Sequence, residues 1–233
     1  PGSTGNQALQ PKLPLGYYLA GLVQQGQQKS AEASESFSAA VALAPTDWQA
    51  YRGQAAAELA RGNVDAAISV FRQGIAATKG AAPLVIDLAT LLEQQGRPEE
   101  AIAEYEAMLA ANPTSEIAAN NLAMLLATYR KDDKSLARAE ELAGRFAKSP
   151  NPAFLDTWGW VLYSRGKYAA AVPVLADAVK KAPEAQVLQY HLGMAQLQAG
   201  DRSAARASLE LAVKGDARYP GIEEARAALA KLK

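Results

Sequence analysis

The 233-residue chain carries 24 Lys or Arg against 24 Asp or Glu, with one His and no Cys. Zero net charge excludes a broad basic face for nucleic acid or acidic lipid, because phosphate binding needs clustered cations. The missing cysteines exclude disulfides, thiolate metal sites and cysteine nucleophiles, and no run approaches the roughly 18–20 apolar residues that span a bilayer.

Residues 1–10 are rich in Gly, Ser, Thr and Asn and read as a disordered leader. The sequence opens on Pro1 without a signal-peptide pattern, so it reads as an excised or processed piece of something longer. Beyond it, Ala, Leu, Gln, Glu, Lys and Arg abound, residues that lose little rotamer freedom in a helix. A pattern then recurs: a small residue, Ala twelve positions on, and an aromatic or Leu four further. It runs Gly21–Ala33–Phe37, Ala55–Ala67–Phe71 and Ala89–Ala101–Tyr105, each displaced by 34. Gly159–Ala171–Leu175 and Gly193–Ala205–Leu209 repeat it at the same step, and Pro45, Pro113 and Pro183 share one phase. A fixed period of this length marks a stack of small structural units.

The positions have readable roles. Each unit is two helices, and the small residue on the first lets the second approach closely. Ala and the aromatic or Leu, four apart, share one face of the second helix. Gly62, Gly96, Gly166 and Gly200 supply the left-handed conformation that ends the first helix. Proline stops the second. Six units begin near Pro14, Trp48, Ala82, Glu116, Pro152 and Gln186, spanning residues 11–219. Each leaves an apolar face that only its neighbours can cover. Ile222, Ala225, Leu229 and Leu232 recur at helical spacing over residues 220–233 and predict a terminal capping helix. In the second unit Lys79-Gly80 stands where proline is expected. In the fourth, the pattern places the hairpin Ala at Ala139, four residues late, behind a charged insertion Arg130–Ser135 read as a tolerated longer turn.

Little here could carry chemistry. His191 has no second His or Cys with which to share a metal and reads as a packing or solvated histidine. Gly166-Lys167 lacks the spacing of a phosphate loop, and Tyr168 stands where Ser or Thr is needed. No Ser/His/Asp set can be assembled, and Glu99-Glu100, Glu140-Glu141 and Glu223-Glu224 read as surface charge that complements helix dipoles. No cofactor, metal or catalytic residue is expected.

The pattern as a whole resembles the tetratricopeptide repeat family, with Thr157–Trp160 through Gly166-Lys167-Tyr168 to Ala171 and Pro183 matching it best. The resemblance implies an all-α, right-handed superhelical solenoid whose first helices line a concave groove. Carried over position by position, that groove takes Tyr18 and Leu22, then Gln49, Arg52 and Ala56, then Ile86, Thr90 and Glu93. It continues through Ile117, Asn120 and Met124, then Asp156, Trp160 and Tyr163, then Val187, Tyr190 and Met194. Trp158 goes to the core. Asn121 resembles the asparagines that contact peptide backbone in the superhelix of O-GlcNAc transferase, with capping or packing as the alternative. Arg52 is the only cation among the groove positions, so the family's carboxylate clamp is not expected. Trp160, Tyr163, Tyr190, Met124 and Met194 would suit a peptide or an apolar helix face; alternatively, the rings pack between first helices. On the open-groove reading, Trp160→Ala with Tyr190→Ala would leave the melting temperature nearly unchanged and abolish partner capture.

Asn120–Ala123, Phe154–Trp160, Tyr190–Gly193 and the ending Tyr219-Pro220 to Ala225 also resemble the carboxy-terminal end of bacterial tetratricopeptide lipoproteins. Those proteins are associated with exopolysaccharide secretion and PEP-CTERM sorting. The resemblance implies a bacterial, periplasm-facing assembly scaffold. A protein or peptide ligand is expected in the groove, and the charge balance and the lack of a long apolar run point away from nucleic acid and membrane insertion. The charged end at Arg226, Lys231 and Lys233 points to a monomer. The alternatives are a cytoplasmic chain and a regulatory or substrate-recruiting module of a larger enzyme.

Overall fold

The computed structural model describes residues 13–232, so the expected leader at residues 1–10 lies outside the described residues. Among the described residues every regular element is helical. Two compact units divide the chain, the first ending at Pro113 and the second beginning at Thr114.

The first unit holds three hairpins: α1 (Pro14–Gly26) with α2 (Ser30–Leu43), α3 (Trp48–Ala60) with α4 (Val64–Ala77), and α5 (Ala82–Gln94) with α6 (Pro98–Ala111). Pro14 and Pro98 open their helices where the missing amide hydrogen costs nothing, and the Asp47 carboxylate accepts from Gln49 N at 3.0 Å to cap α3. Packing follows the repeat. The Phe37 ring wedges between α1 and α3, so a Cβ on Gly21 or Gly53 would stand 2.8 or 2.5 Å from it. Ala33, Ala55, Ala67, Ala89 and Ala101 are fully buried, with Phe71 and Tyr105 nearly so. Each second helix covers the next first helix, α2 on α3 and α4 on α5.

Gly62 and Gly96 take the left-handed turn conformation at φ +80° and +69°. In the first hairpin Gln28 does this at φ +61°, at a steric cost of about 1 kcal/mol. The Lys79-Gly80 departure is also resolved. Both residues turn left-handed, Gly80 N donates back to Ile75 O at 2.8 Å, and the Thr78 hydroxyl donates to Gly74 O at 2.7 Å. A hydrogen-bonded cap thus replaces the proline stop.

The second unit holds α7 (Glu116–Tyr129) with α8 (Asp133–Ala143), α9 (Pro152–Ser164) with α10 (Tyr168–Lys181), α11 (Gln186–Gln198) with α12 (Arg202–Ala212), and a last helix α13 (Ile222–Ala230). The close approaches recur: a Cβ on Gly159 would meet Leu175 at 2.5 Å, and one on Gly193 would meet Leu209 at 2.7 Å. Here the reading of the fourth repeat needs correction. Ser135, Leu136, Ala139 and Ala143 are the buried residues of α8 that stand 34 after Ala101, Ile102, Tyr105 and Leu109. Ala139 therefore fills the aromatic position in register, and there is no four-residue delay. Asp132, read as part of an insertion, is the N-cap of α8 and accepts from Ser135 N at 2.9 Å. The register slips afterwards, where a 3₁₀ turn at Gly144–Phe146 buries Phe146 against Phe154, centroids 4.5 Å apart.

Candidate functional site

In the second unit the first helices α7, α9 and α11 pack side by side, with α13 closing the row against α11. Trp160 is stacked on Tyr163 at 4.5 Å and 12° and on His191 at 4.1 Å and 25°, and it lies 5.6 Å from Tyr190. Its indole N–H donates to Thr128 Oγ1 at 3.2 Å, and the Thr128 hydroxyl points to Met124 Sδ at 3.8 Å. His191 Nδ1 lies 2.8 and 2.9 Å from the two carboxylate oxygens of Asp156. A carboxylate only accepts, so Nδ1 carries the hydrogen. The Tyr190 hydroxyl donates to Glu224 of α13 at 2.8 Å, and Gly221 lets the ring pass, since a Cβ there would lie 2.5 Å from it. Burial raises the Tyr190 phenol well above its ordinary range, and the bond to Glu224 adds to the shift. Burial likewise pushes Tyr219 up to about 12 and raises Tyr163.

This face is filled rather than open. Tyr190 is 3% exposed, Asp156 4%, Trp160 6% and Asn120 8%. The expectation that Trp160 and Tyr190 present free rings to a partner is corrected: rings on neighbouring helices are large enough to bury one another, and α13 covers what remains. Asn121, Met124, Tyr163 and Met194 are half-buried along the same row. Asn120 Nδ2 donates to Asn121 Oδ1 at 3.0 Å, while its own buried Oδ1 meets no hydrogen-bond partner among the described residues. Trp158 is half-buried, packed against the Leu162–Leu175–Leu192 core. Sequence reasoning did not find the His191–Asp156 pair. The signal available was the only His falling one position beyond the Asp156 position in the next repeat.

An open cleft lies instead in the first unit. It holds about 370 Å³ and is lined by Tyr18, Leu22 and Gln25 of α1 and by Trp48, Gln49, Arg52, Gly53 and Ala56 of α3. Arg52 donates through Nε and Nη2 to the two oxygens of Asp87 at 2.5 and 3.3 Å. All five groove positions carried over to the first two repeats line this cleft. Ala56 stands at the repeat position that Trp160 takes in the second unit, so its small side chain leaves room there that the indole fills. Among the described residues no three His, Cys, Asp or Glu side chains are placed to hold a metal ion.

A tetratricopeptide repeat model matches residues 18–82 and 157–221, more than half of the chain, and a second model of the same description matches residues 58–127. The chain is a tetratricopeptide repeat protein. Solved structures agree on the fold. A tetratricopeptide repeat protein from Parabacteroides merdae superposes with a TM-score of 0.70 at 15% identity, covering 94% of this chain and 85% of that one. The pilF protein of Pseudomonas aeruginosa gives 0.62 at 17% identity, covering 94% and 97%. PilW, described as a widely conserved type IV pilus biogenesis factor, gives 0.61 at 19% identity, covering 84% and 92%. Among curated protein sequences nothing matches. In the frame of this tetratricopeptide repeat protein, the lines Tyr18–Leu22 and Gln49–Arg52–Ala56 are the first-helix faces that such hairpins line up.

Burial of the tyrosines sets an alkaline limit on the second unit. The folded pKa values of Tyr163, Tyr190 and Tyr219 lie above the ordinary value near 10. The unfolded chain therefore loses these protons first, and stability that is complete below pH 10 declines as pH rises past it. Tyr190→Phe should flatten that decline, read as the urea midpoint between pH 9 and pH 11.5. An unchanged slope would show that the Tyr190 phenol ionises as freely in the folded state as in the unfolded one.

Proposed function

We propose that this tetratricopeptide repeat protein is a non-catalytic scaffold that holds a protein or peptide segment along its first-helix face. The observation that carries the reading is the open cleft of Tyr18, Leu22, Gln25, Trp48, Gln49, Arg52 and Ala56. It combines two half-buried aromatic walls with amide side chains that can pair an extended backbone. Arg52 is already neutralised by Asp87, and α1 carries no charge, so an apolar or neutral segment suits the cleft better than an acidic tail. In the second unit the partner contacts in this reading are the half-buried Asn121, Met124, Tyr163 and Met194, with Asn120 bonded to Asn121 and Trp160 stacked on Tyr163.

The setting we propose is a monomer in a periplasm-facing assembly for envelope export or polymer secretion in bacteria. It is supported by the residue phrases of the second unit and by the likeness in fold to PilW. Capture from a lysate of the source organism tests it, comparing the native chain with Trp48→Ala/Arg52→Ala and with Met124→Ala/Met194→Ala. Envelope proteins should be recovered by the native chain and lost by about tenfold with one of the variants. Recovery that neither variant alters, or that contains no envelope protein, would overturn the reading.

A further inference from the structure

Arg52 is the one charged residue lining the open cleft of the first unit, and its charge is answered from outside that lining. Asp87, on the next first helix α5, accepts from Nε at 2.5 Å and from Nη2 at 3.3 Å. The two side chains remain 54% and 27% exposed. A guanidinium carries five N–H donors, and the pair engages two of them, so both Nη1 hydrogens and the second Nη2 hydrogen stand outside it. The cleft therefore offers donors to a carbonyl oxygen without an unanswered positive charge for a carboxylate. Gln25 and Gln49, whose amides both donate and accept, line the same space.

The same pairing recurs in the second unit. Asp156 of α9 and His191 of α11 stand 35 positions apart, as do Arg52 and Asp87, and they occupy the same two places on neighbouring first helices. There both side chains are more than nine-tenths buried, and Trp160 stacks on the imidazole. Ala56 stands where Trp160 does, so in the first unit the pair stays at the surface and meets whatever enters the cleft.

We infer that Asp87 sets the charge class of the segment the cleft accepts: an extended, uncharged stretch of a partner protein, in preference to an acidic one. Backbone or amide carbonyls of that stretch take the spare hydrogens of Arg52. An Asp or Glu brought to Arg52 gains one attraction and meets the repulsion of the Asp87 carboxylate as well. Asp87 does not line the cleft and acts through Arg52, so it is a positioning residue. The inference rests on the reading that the cleft holds a segment. A further hairpin ahead of α1 would lay its second helix on α1, as α2 lies on α3 and α4 on α5, and would leave the space between α1 and α3 open.

The probe is a library of random dodecapeptides displayed on phage, panned on the full native chain, on Asp87→Asn and on Arg52→Gln/Asp87→Asn. Asparagine keeps the shape of aspartate and an oxygen for Arg52, and Asp87→Ser serves if that variant does not fold. Peptides that Trp48→Ala fails to hold report the cleft. Among these, the native chain should retain Asp and Glu at or below their frequency in the unselected library. On Asp87→Asn the acidic share should rise by about threefold, the scale of one exposed ion pair, and on the double variant it should return to the native level. A merely structural role for Asp87 would lower the yield on both variants and leave the acidic share unchanged. That outcome, or acidic peptides enriched on the native chain, would overturn the inference while the cleft reading stands. Failure of the native chain to retain any cleft-dependent peptide would overturn both. Displacement of the selected peptides by a synthetic copy of residues 1–12 would also overturn the inference, because a segment of this chain would then be the occupant.

Discussion

Trp160→Ala should cost the second unit about 3–5 kcal/mol, the range for emptying the site of a large buried ring. The indole is 6% exposed and stacked against both Tyr163 and His191. Deleting it removes those contacts and leaves Thr128 Oγ1 without its N–H donor. Trp160→Phe keeps an aromatic ring and loses chiefly that hydrogen bond, so a loss nearer 1–2 kcal/mol is expected. Tyr190→Ala should fall in the same range as Trp160→Ala. The double variant should cost less than the sum, because the two rings are neighbours and share a cavity. The measurement is urea unfolding followed by circular dichroism, with far-ultraviolet helicity checked at zero denaturant. A Trp160→Ala midpoint indistinguishable from native would mean that the ring faces water and that this groove is open after all.

That expectation follows the packed one of the two readings the sequence left open for these rings, and the reason is one of size. The family positions tell which way a side chain leaves its helix; Trp160 and Tyr190 meet between first helices of the second unit, and Arg52 lines the cleft of the first. The positions do not tell how deep the row lies, because depth depends on what the neighbouring helices contribute. Where those contributions are Trp160, Tyr163, His191 and Tyr190, the rings stack and fill the row. Where the position of Trp160 is taken by Ala56, space remains, and a poorer-looking stretch of sequence makes the better cleft. The repeat itself was legible because each coincidence reports a contact: Gly21 with Phe37, Gly159 with Leu175 and Gly193 with Leu209. The fourth repeat misled because Ser135 stands in an alanine position and Ala139 in an aromatic one. A search for residue types shifts the phase there, although burial keeps it.

The buried pair His191–Asp156 provides the second large effect. Both side chains are more than nine-tenths buried and joined at 2.8 Å across adjoining first helices. Asp156→Ala removes the carboxylate to which Nδ1 donates and opens a void, and it should cost about 3 kcal/mol, as breaking a buried pair does. Asp156→Asn still offers an oxygen to the imidazole and fills the same volume, so it should lose about 1 kcal/mol. The decisive variant is Asp156→Leu/His191→Leu, which removes both polar groups and refills the space with apolar ones. If the pair serves register more than stability, the double variant should recover most of what Asp156→Ala loses. Urea midpoints of these chains, with Asp156→Leu and His191→Leu singly, give the answer directly. A double variant as unstable as the sum of its singles would show that each residue stabilises the unit through other neighbours. Trp160, which stacks on the imidazole, would then be the group that needs His191 in place.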